Sequence, residues 1–349
     1  MNRSRQSGVA LIAMLLVFVL VVILVAGVVT RTGLAIQKTG YHLQYSQAYE
    51  YALGAEALAR QLLHKDWQDD LKQKRGDSLQ ENWAQPFQFE PDNGLIRVHI
   101  EDLHGRFNLN SLVSADGKSS EETVRHFKRL LSELEIASLN ADVIVDWLDS
   151  DTTPRTSRSE DSYYLSQSFN SETSDNQAYR SADRPMAHSS ELAALQLELS
   201  RKNLRTLEAE VTSLPVSNNN INPNTATKAL LNSLHPELNA EAVIEARDQL
   251  PSGFESVDDF LTHAVTAGLE FGNISFSVRS EYFDVWVIAS FNEQVAYLRS
   301  RLHRNPDTGV LTTLHRSQWR DSDHNPLLRR LSENTATQAT VRTTLSPSR

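Results

Sequence analysis

The residues best suited to chemistry lie in one stretch, "DWLDSDTTPRTSRSEDSYY", residues 146–164. Asp146, Asp149, Asp151, Glu160 and Asp161 place five carboxylates within sixteen residues, at the end of a helical run and into a loop. Crowded carboxylates repel one another unless they are protonated, solvated or bridged by a cation. A loop that offers several oxygens at irregular spacing suits calcium better than magnesium, which demands a strict octahedron. The stretch is not an EF-hand, because no glycine stands at the sixth place counted from any of these aspartates. Residue types alone leave two readings open, a calcium loop and a solvated acidic loop. Arg155 and Arg180 are expected to pair with these acids rather than with a substrate.

Other chemistries are poorly served. The chain has no cysteine, which excludes disulfides, thiolate zinc ligands and a thiol nucleophile. Its eleven histidines are scattered, and no HExxH, GxSxG or GxxxxGK[ST] pattern occurs. The chain is therefore expected not to be an enzyme. A net charge of −10 with the two signs interspersed gives no basic face for neutralising phosphates, so no nucleic-acid partner is expected.

The acidic loop needs a scaffold, and 349 residues at 40% hydrophobic and 22% charged are enough for one large globular domain or two ordinary ones. In "LIRVHIEDLHGRFNLNSL", Ile96, Val98 and Ile100 alternate with polar residues as in a strand. Far downstream, "SEYFDVWVIASF", "QVAYLRSRLHR" and "GVLTTLHRSQW" supply further β-rich runs, with turns at Asn292-Glu293 and "NPDTG". Between them the text is helical. The expected fold is α+β: a small antiparallel sheet, its first part within 65–118 and its second within 268–316, interrupted by a helical domain at 119–267. Residues 65–94 are polar and punctuated by Pro86, Pro91 and Gly94, and predict an irregular connector. The Ser- and Thr-rich tail, 317–349, predicts disorder.

At the other end, Val9 to Val29 runs without a charge or a proline. As a helix it is roughly 31 Å long, enough to cross a hydrocarbon core. Arg3 and Arg5 precede it and place the N-terminus in the cytoplasm. A cleavable secretory signal would have a shorter apolar core and a small-x-small site, which Ala26-Gly27 meets only loosely. The helix is expected to run on through residues 9–64, because Tyr41, Tyr45, Ala48, Ala52, Ala55, Ala59 and Leu62 recur on one face. The alanines let that face approach either the chain's own sheet or neighbouring helices closely.

A basic leader ending in Gly8, an apolar helix, and "YSQAYEYALGAEALARQLL" behind it resemble the type IV pilin and type II secretion pseudopilin class. Within that class the chain is similar to the minor pseudopilin K (GspK) family. The resemblance implies a pilin-like fold with a helical insert, and cleavage of the 1–8 leader by prepilin peptidase between Gly8 and Val9, with Val9 then N-methylated. It also implies the minor pseudopilins I and J and the inner-membrane secretion platform as partners. The body would lie in the periplasm, anchored by a single inner-membrane span. Most of the class carries glutamate at the fifth mature position, where this chain has Ala13. A subunit without that carboxylate has nothing with which to dock beneath an earlier one, so Ala13 points to the tip of the fibre. The family binds calcium in its insert, at a stretch matching Asp149, Asp151, Glu160 and Asp161, with Asp146 adjoining; here "TSRS" replaces the usual Gly-Gly-Ala before Glu-Asp. "EDLHGRFNLN" is a family signature and is read as structural. A minor pilin of a type IV pilus shares the leader but lacks an insert of this size. Residues 221–261 look like a helix-hairpin-helix unit, yet the hairpin "LHPELNAE" contains Pro236 and no glycine. Backbone that grips phosphate needs both glycine and free N–H groups, so the unit is read as a packing module.

Overall fold

The computed structural model describes residues 6–136, 139–166, 178–318 and 327. Free of proline from its start, the N-terminal text forms one helix, α1 (Gln6–Gln73), of 68 residues and about 100 Å. It continues past residue 64 into the expected connector, because "KDWQDDLKQ" holds good helix formers and no breaker. Among the described residues this is the one helix long and apolar enough to cross a membrane, with a mean hydropathy of 3.5 in a window of which none is buried.

The sheet has five strands: β1 (Phe87–Phe89), β2 (Gly94–Asp102), β7 (Tyr282–Phe291), β8 (Gln294–Arg304) and β9 (Leu311–Ser317), in that spatial order and antiparallel throughout. The expected turn at Asn292 joins β7 to β8, and Asn292 adopts the left-handed conformation there (φ 50°). Ala48, Ala52, Ala55, Ala59 and Leu63 of α1 are fully buried. The last four join Val98, Ile100, Phe283, Val285, Val287, Leu298 and Leu302 in one core. The small side chains bring the helix axis close to the sheet, which settles the alanine part of the seam: it serves the chain's own sheet. Tyr41 (49% exposed) and Leu43 (67%) lie outside this contact. A buried carboxylate ties the two layers together. Glu56 accepts hydrogen bonds from Ser300 (2.6 Å), Thr313 (2.9 Å) and the Arg316 guanidinium (2.6 and 2.9 Å). Burial opposes its ionisation, but these bonds outweigh it and lower its pKa to about 2.

Between β2 and β7 the chain leaves the sheet after residue 102 and returns at 282, so the insert, 103–281, is wider on both sides than the expected 119–267. The difference arises because four two-residue strands, β3 (Phe107–Asn108), β4 (Val211–Thr212), β5 (Asn220–Ile221) and β6 (Ser275–Phe276), pair with each other and not with the main sheet. The helices of the insert are α2 (Glu121–Glu133), α3 (Asp142–Leu148), α4 (Glu160–Ser166), α5 (Arg201–Glu210), α6 (Lys228–Leu234), α7 (Ala240–Gln249) and α8 (Val257–Thr262). Side-chain caps fix several starts: Ser120, Ser200, Thr227, Asn239 and Ser256 each accept a bond from an N–H of the first turn. The insert has its own core, including Phe107, Phe127, Leu130, Ile144, Leu231 and Phe260.

The signature "EDLHGRFNLN" is the exit from β2 into this core. Asp102 accepts from Thr225 (2.5 Å), Ser280 (2.6 Å) and Asn222 (3.2 Å), joining the end of β2 to two distant parts of the insert. Gly105 passes so close to Thr225 that a Cβ would lie 2.6 Å from its carbonyl oxygen. Asn108 and Asn110 are buried and bind the backbone of Leu214 and Met186, among others. In the helix-hairpin-helix stretch, the buried Arg247 donates to Pro223 O (3.0 Å) and Ala226 O (2.8 Å), as a packing module requires. Most of the tail lies outside the described residues. Leu327, in a stretch expected to be disordered, is instead buried against Trp286 and Ile288, because the outer face of the sheet offers apolar area there.

Candidate functional site

The acidic loop is built by two short helices. Helix α3 ends at Leu148, so Asp149 follows at its C-terminus, while Glu160 opens α4 with φ 68°, a left-handed conformation uncommon for a non-glycine residue. The loop between them brings together one oxygen each of Asp149, Asp151 and Glu160, all within 4.8 Å of one another. Asp149 and Glu160 are each 3% exposed and Asp151 is exposed. Both carboxylate oxygens of Glu160 and Oδ1 of Asp149 are buried without a hydrogen-bond partner. Such groups cost free energy unless something neutralises them.

The other two predicted acids are not brought into this set. Asp146, fully buried, accepts from the Arg155 backbone N–H (2.8 Å) and from the Ser159 hydroxyl, and so shapes the loop from beneath. Asp161 turns toward residues 180–181, accepting from Ser181 N–H (3.0 Å) and Arg180 (3.3 Å). Arg155 lies 3.6 Å from Asp146 and 3.9 Å from Asp149, which matches its expected pairing. One residue was missed. Asp183 has a left-handed φ of 47°, a buried Oδ1 without a hydrogen-bond partner, and a charge felt by both Glu160 and Asp149. It comes from beyond the polar excursion after α4, so no local pattern announces it. A second signal was present in the spacing: Glu160 is the twelfth residue counted from Asp149, the place of the bidentate glutamate in an EF-hand, although Pro154 holds the sixth.

Burial, followed by the charges of Asp183, Asp146, Asp149 and Asp151, raises the pKa of Glu160 to about 7. Burial and the Asp151 and Asp146 charges raise that of Asp149 to about 6. The group therefore stays ionised near neutrality only at a cost, which a bound cation would remove. All the donors are carboxylate oxygens, at irregular spacing on a loop, as a hard cation such as calcium requires. Trp147 and Tyr164 pack edge to face beneath the loop, with ring centroids 5.4 Å apart.

Gly8 and Val9 lie in the first turns of α1, and Val9 is 69% exposed. Ala13 is on the exposed surface of the same apolar stretch.

A membrane-length helix laid by its outer half on an antiparallel sheet, with a helical domain inserted between the strands, defines a pilin-like subunit. Known proteins narrow the class. The family described as type II secretion system (T2SS), protein K matches residues 105–216 and again 221–285. The type II secretion system protein K of Pseudomonas aeruginosa is 38% identical over 318 residues, 87% of this chain and 91% of that one. That of Aeromonas hydrophila is 30% identical over 342 residues, 88% of this chain and 96% of that one. A chain in the crystal structure of the GspK–GspI–GspJ complex from the enterotoxigenic Escherichia coli type 2 secretion system is 26% identical. It superposes with a TM-score of 0.68, covering 81% of this chain and all of that one. The chain belongs to the type II secretion system protein K family.

Proposed function

We propose that this chain is a minor pseudopilin that stands at the tip of the periplasmic pseudopilus, starting or capping its assembly in support of the export of folded proteins. The observation that carries this reading is the division of α1. Its alanine face is spent on the chain's own sheet, while Leu34 (60% exposed), Ile36 (68%), Tyr41 and Leu43 continue the apolar surface beyond the membrane-length segment. Apolar surface of that extent calls for a partner, and parallel N-terminal helices of the minor pseudopilins I and J are the partners of matching chemistry. The related structure is a complex of K, I and J, which supports the same choice. Ala13 brings no carboxylate into the hydrocarbon, where an unpaired charge is costly, so the chain needs no subunit above it. The insert at 103–281 would obstruct a further copy. Before assembly, prepilin peptidase cuts between Gly8 and Val9 and Val9 is methylated; the inner-membrane platform then receives the mature helix. Nothing in this role calls for catalysis.

Co-expression with I and J, detergent extraction and sizing of the tagged mature chain test the assignment. A complex with one copy of each is expected; a chain that leaves both partners behind would sink it.

In the same reading Asp149, Asp151 and Glu160, with Asp183 beside them, hold a calcium ion that fixes the loop between α3 and α4. At pH 7.5, calcium at a hundredfold excess over its dissociation constant would stabilise by about 2.7 kcal/mol, a rise in melting temperature on the order of 5 °C. Glu160→Gln with Asp151→Asn is expected to abolish that rise, and an unchanged rise would remove the loop from consideration. Without a cation the pH dependence has a defined sign. The folded chain holds the Glu160 proton up to about 7 and the unfolded chain only to about 4.5, so folding takes up protons between these values. Stability should therefore fall as pH rises through that window, and calcium should flatten the decline.

A further inference from the structure

The end of α1 carries a second set of converging carboxylates, remote in sequence from the α3–α4 loop. Asp66 and Asp70 stand one turn apart on the helix, Asp77 follows in the chain leaving it, and Glu81 comes just before Trp83. One oxygen of each lies within 4.8 Å of one oxygen of every other. These groups are withdrawn from solvent: Asp70 is 4% exposed, Asp77 is fully buried, and the side chain of Asp66 is 14% exposed. Asp77 is fully engaged, since Arg304 Nη2 donates to both its oxygens (2.7 and 2.5 Å) and Ser280 N–H adds a third bond (2.7 Å). The others are not. Oδ2 of Asp66, Oδ1 of Asp70 and Oε1 of Glu81 are buried and accept no hydrogen bond.

Charge is unbalanced in the same direction. The cations at hand are Arg75, 3.3 Å from Asp70 Oδ1, and Arg304, 3.8 Å from Asp66 Oδ2. With all four carboxylates ionised, two guanidinium groups would leave an excess of two negative charges, which one divalent cation would cancel. Burial, then the charges of Glu81, Asp77 and Asp70, pushes the pKa of Asp66 up to about 9, as expected where an ionised cluster lacks its counter-charge. A cavity of about 280 Å³ bordered by Asp66 and Glu81 gives access from solvent.

We propose that Asp66, Asp70 and Glu81, backed by Asp77, bind a divalent cation that locks the end of α1 to the segment returning from the insert. Oxygen donors drawn from a helix and the chain beyond it, at irregular spacing, favour calcium over magnesium. The lock acts where the two parts of the molecule meet. Asp77 N–H donates to Val278 O (2.8 Å), Asn222 Nδ2 donates to Asp77 O (3.1 Å), and Gly76 runs so close to Val278 that a Cβ would lie 2.4 Å from its carbonyl oxygen. An ion held here would fix the insert relative to the N-terminal helix.

Terbium reports the site, because Trp83 Nε1 donates to Glu81 Oε2 at 2.7 Å and can transfer excitation to a bound lanthanide. The full chain in detergent, carrying D151N and E160Q to disable the α3–α4 loop, should retain one saturable tryptophan-sensitised terbium signal that excess calcium displaces. Adding D66N and E81Q should weaken terbium binding at least tenfold, whereas D92N, at an exposed carboxylate between β1 and β2, should leave it unchanged. Absence of a saturable signal in the D151N/E160Q chain, or one indifferent to D66N and E81Q, would overturn the proposal. Anomalous diffraction from terbium-soaked crystals of the D151N/E160Q chain tests it without altering the site: a peak among Asp66, Asp70 and Glu81 is expected, and no peak there would refute it.

Discussion

Asp284→Ala should cost about 3–5 kcal/mol of stability, the range for removing one partner of a buried ion pair. Asp284 is fully buried on β7 and receives Arg299 (3.0 and 2.6 Å) and Arg301 (3.0 and 3.2 Å) from β8. Burial alone would raise its pKa, but the two guanidinium charges and their hydrogen bonds hold it well below the usual carboxylate range. Arg301 is 6% exposed and also donates to Ser213 O in the insert at 2.7 Å, so the pair joins the sheet to the inserted domain. Removing the carboxylate leaves that guanidinium buried without its counter-charge. Urea unfolding followed by tryptophan emission reads the loss, since Trp286 lies under the Arg299 guanidinium at 4.4 Å. A change below about 1 kcal/mol, the scale of an exposed pair, would show that the pair is solvated instead. Acid should act in the same direction. A depressed pKa contributes stability above the unfolded value of 3.8 that is lost as pH falls below it.

Gly8→Val is expected to leave the chain uncut, an all-or-none effect. The bond between Gly8 and Val9 lies in α1, directly ahead of the apolar run. Glycine there costs the helix about 1 kcal/mol relative to alanine, so the turn frays readily into the extended form a peptidase needs. Valine restricts that freedom and adds bulk at the cut. Intact mass decides the matter: the parent chain should begin at methylated Val9, and the variant should keep residues 1–8. A Gly8→Val chain of parental mature mass would contradict the account.

Features carried by neighbouring residues were legible in the sequence. The apolar run of α1, the alternation of Ile96, Val98 and Ile100, and the turn at Asn292 each rest on short-range pattern, and each stands in the fold. The acids of the α3–α4 loop were visible for the same reason, but local spacing could not tell that Asp146 and Asp161 are engaged by other partners while three converge. Asp183 reaches the loop only through the fold. The cluster at Asp66 and Asp70 was hidden more completely. "KDWQDDLKQKRGDSLQE" is as polar as a solvated connector, and only the fold, which brings Arg304 of β8 together with Asn222, Val278 and Ser280 against it, makes it an interior. The bounds of the insert were blurred because two-residue strands carry the same β-rich text as the sheet.

Crosslinking through α1 tests the central claim most directly, and a chain without cysteine is ready for it. Leu43 is 67% exposed on α1, between the membrane-length segment and the alanine face, whereas Ala55 is fully buried against the sheet. With Leu43→Cys, and cysteines on the helices of I and J, oxidation in the membrane should yield adducts to I and J and none between two copies of this chain. Ala55→Cys should yield none at all. Adducts between two copies through Leu43→Cys would make the chain a repeating subunit and contradict its place at the tip.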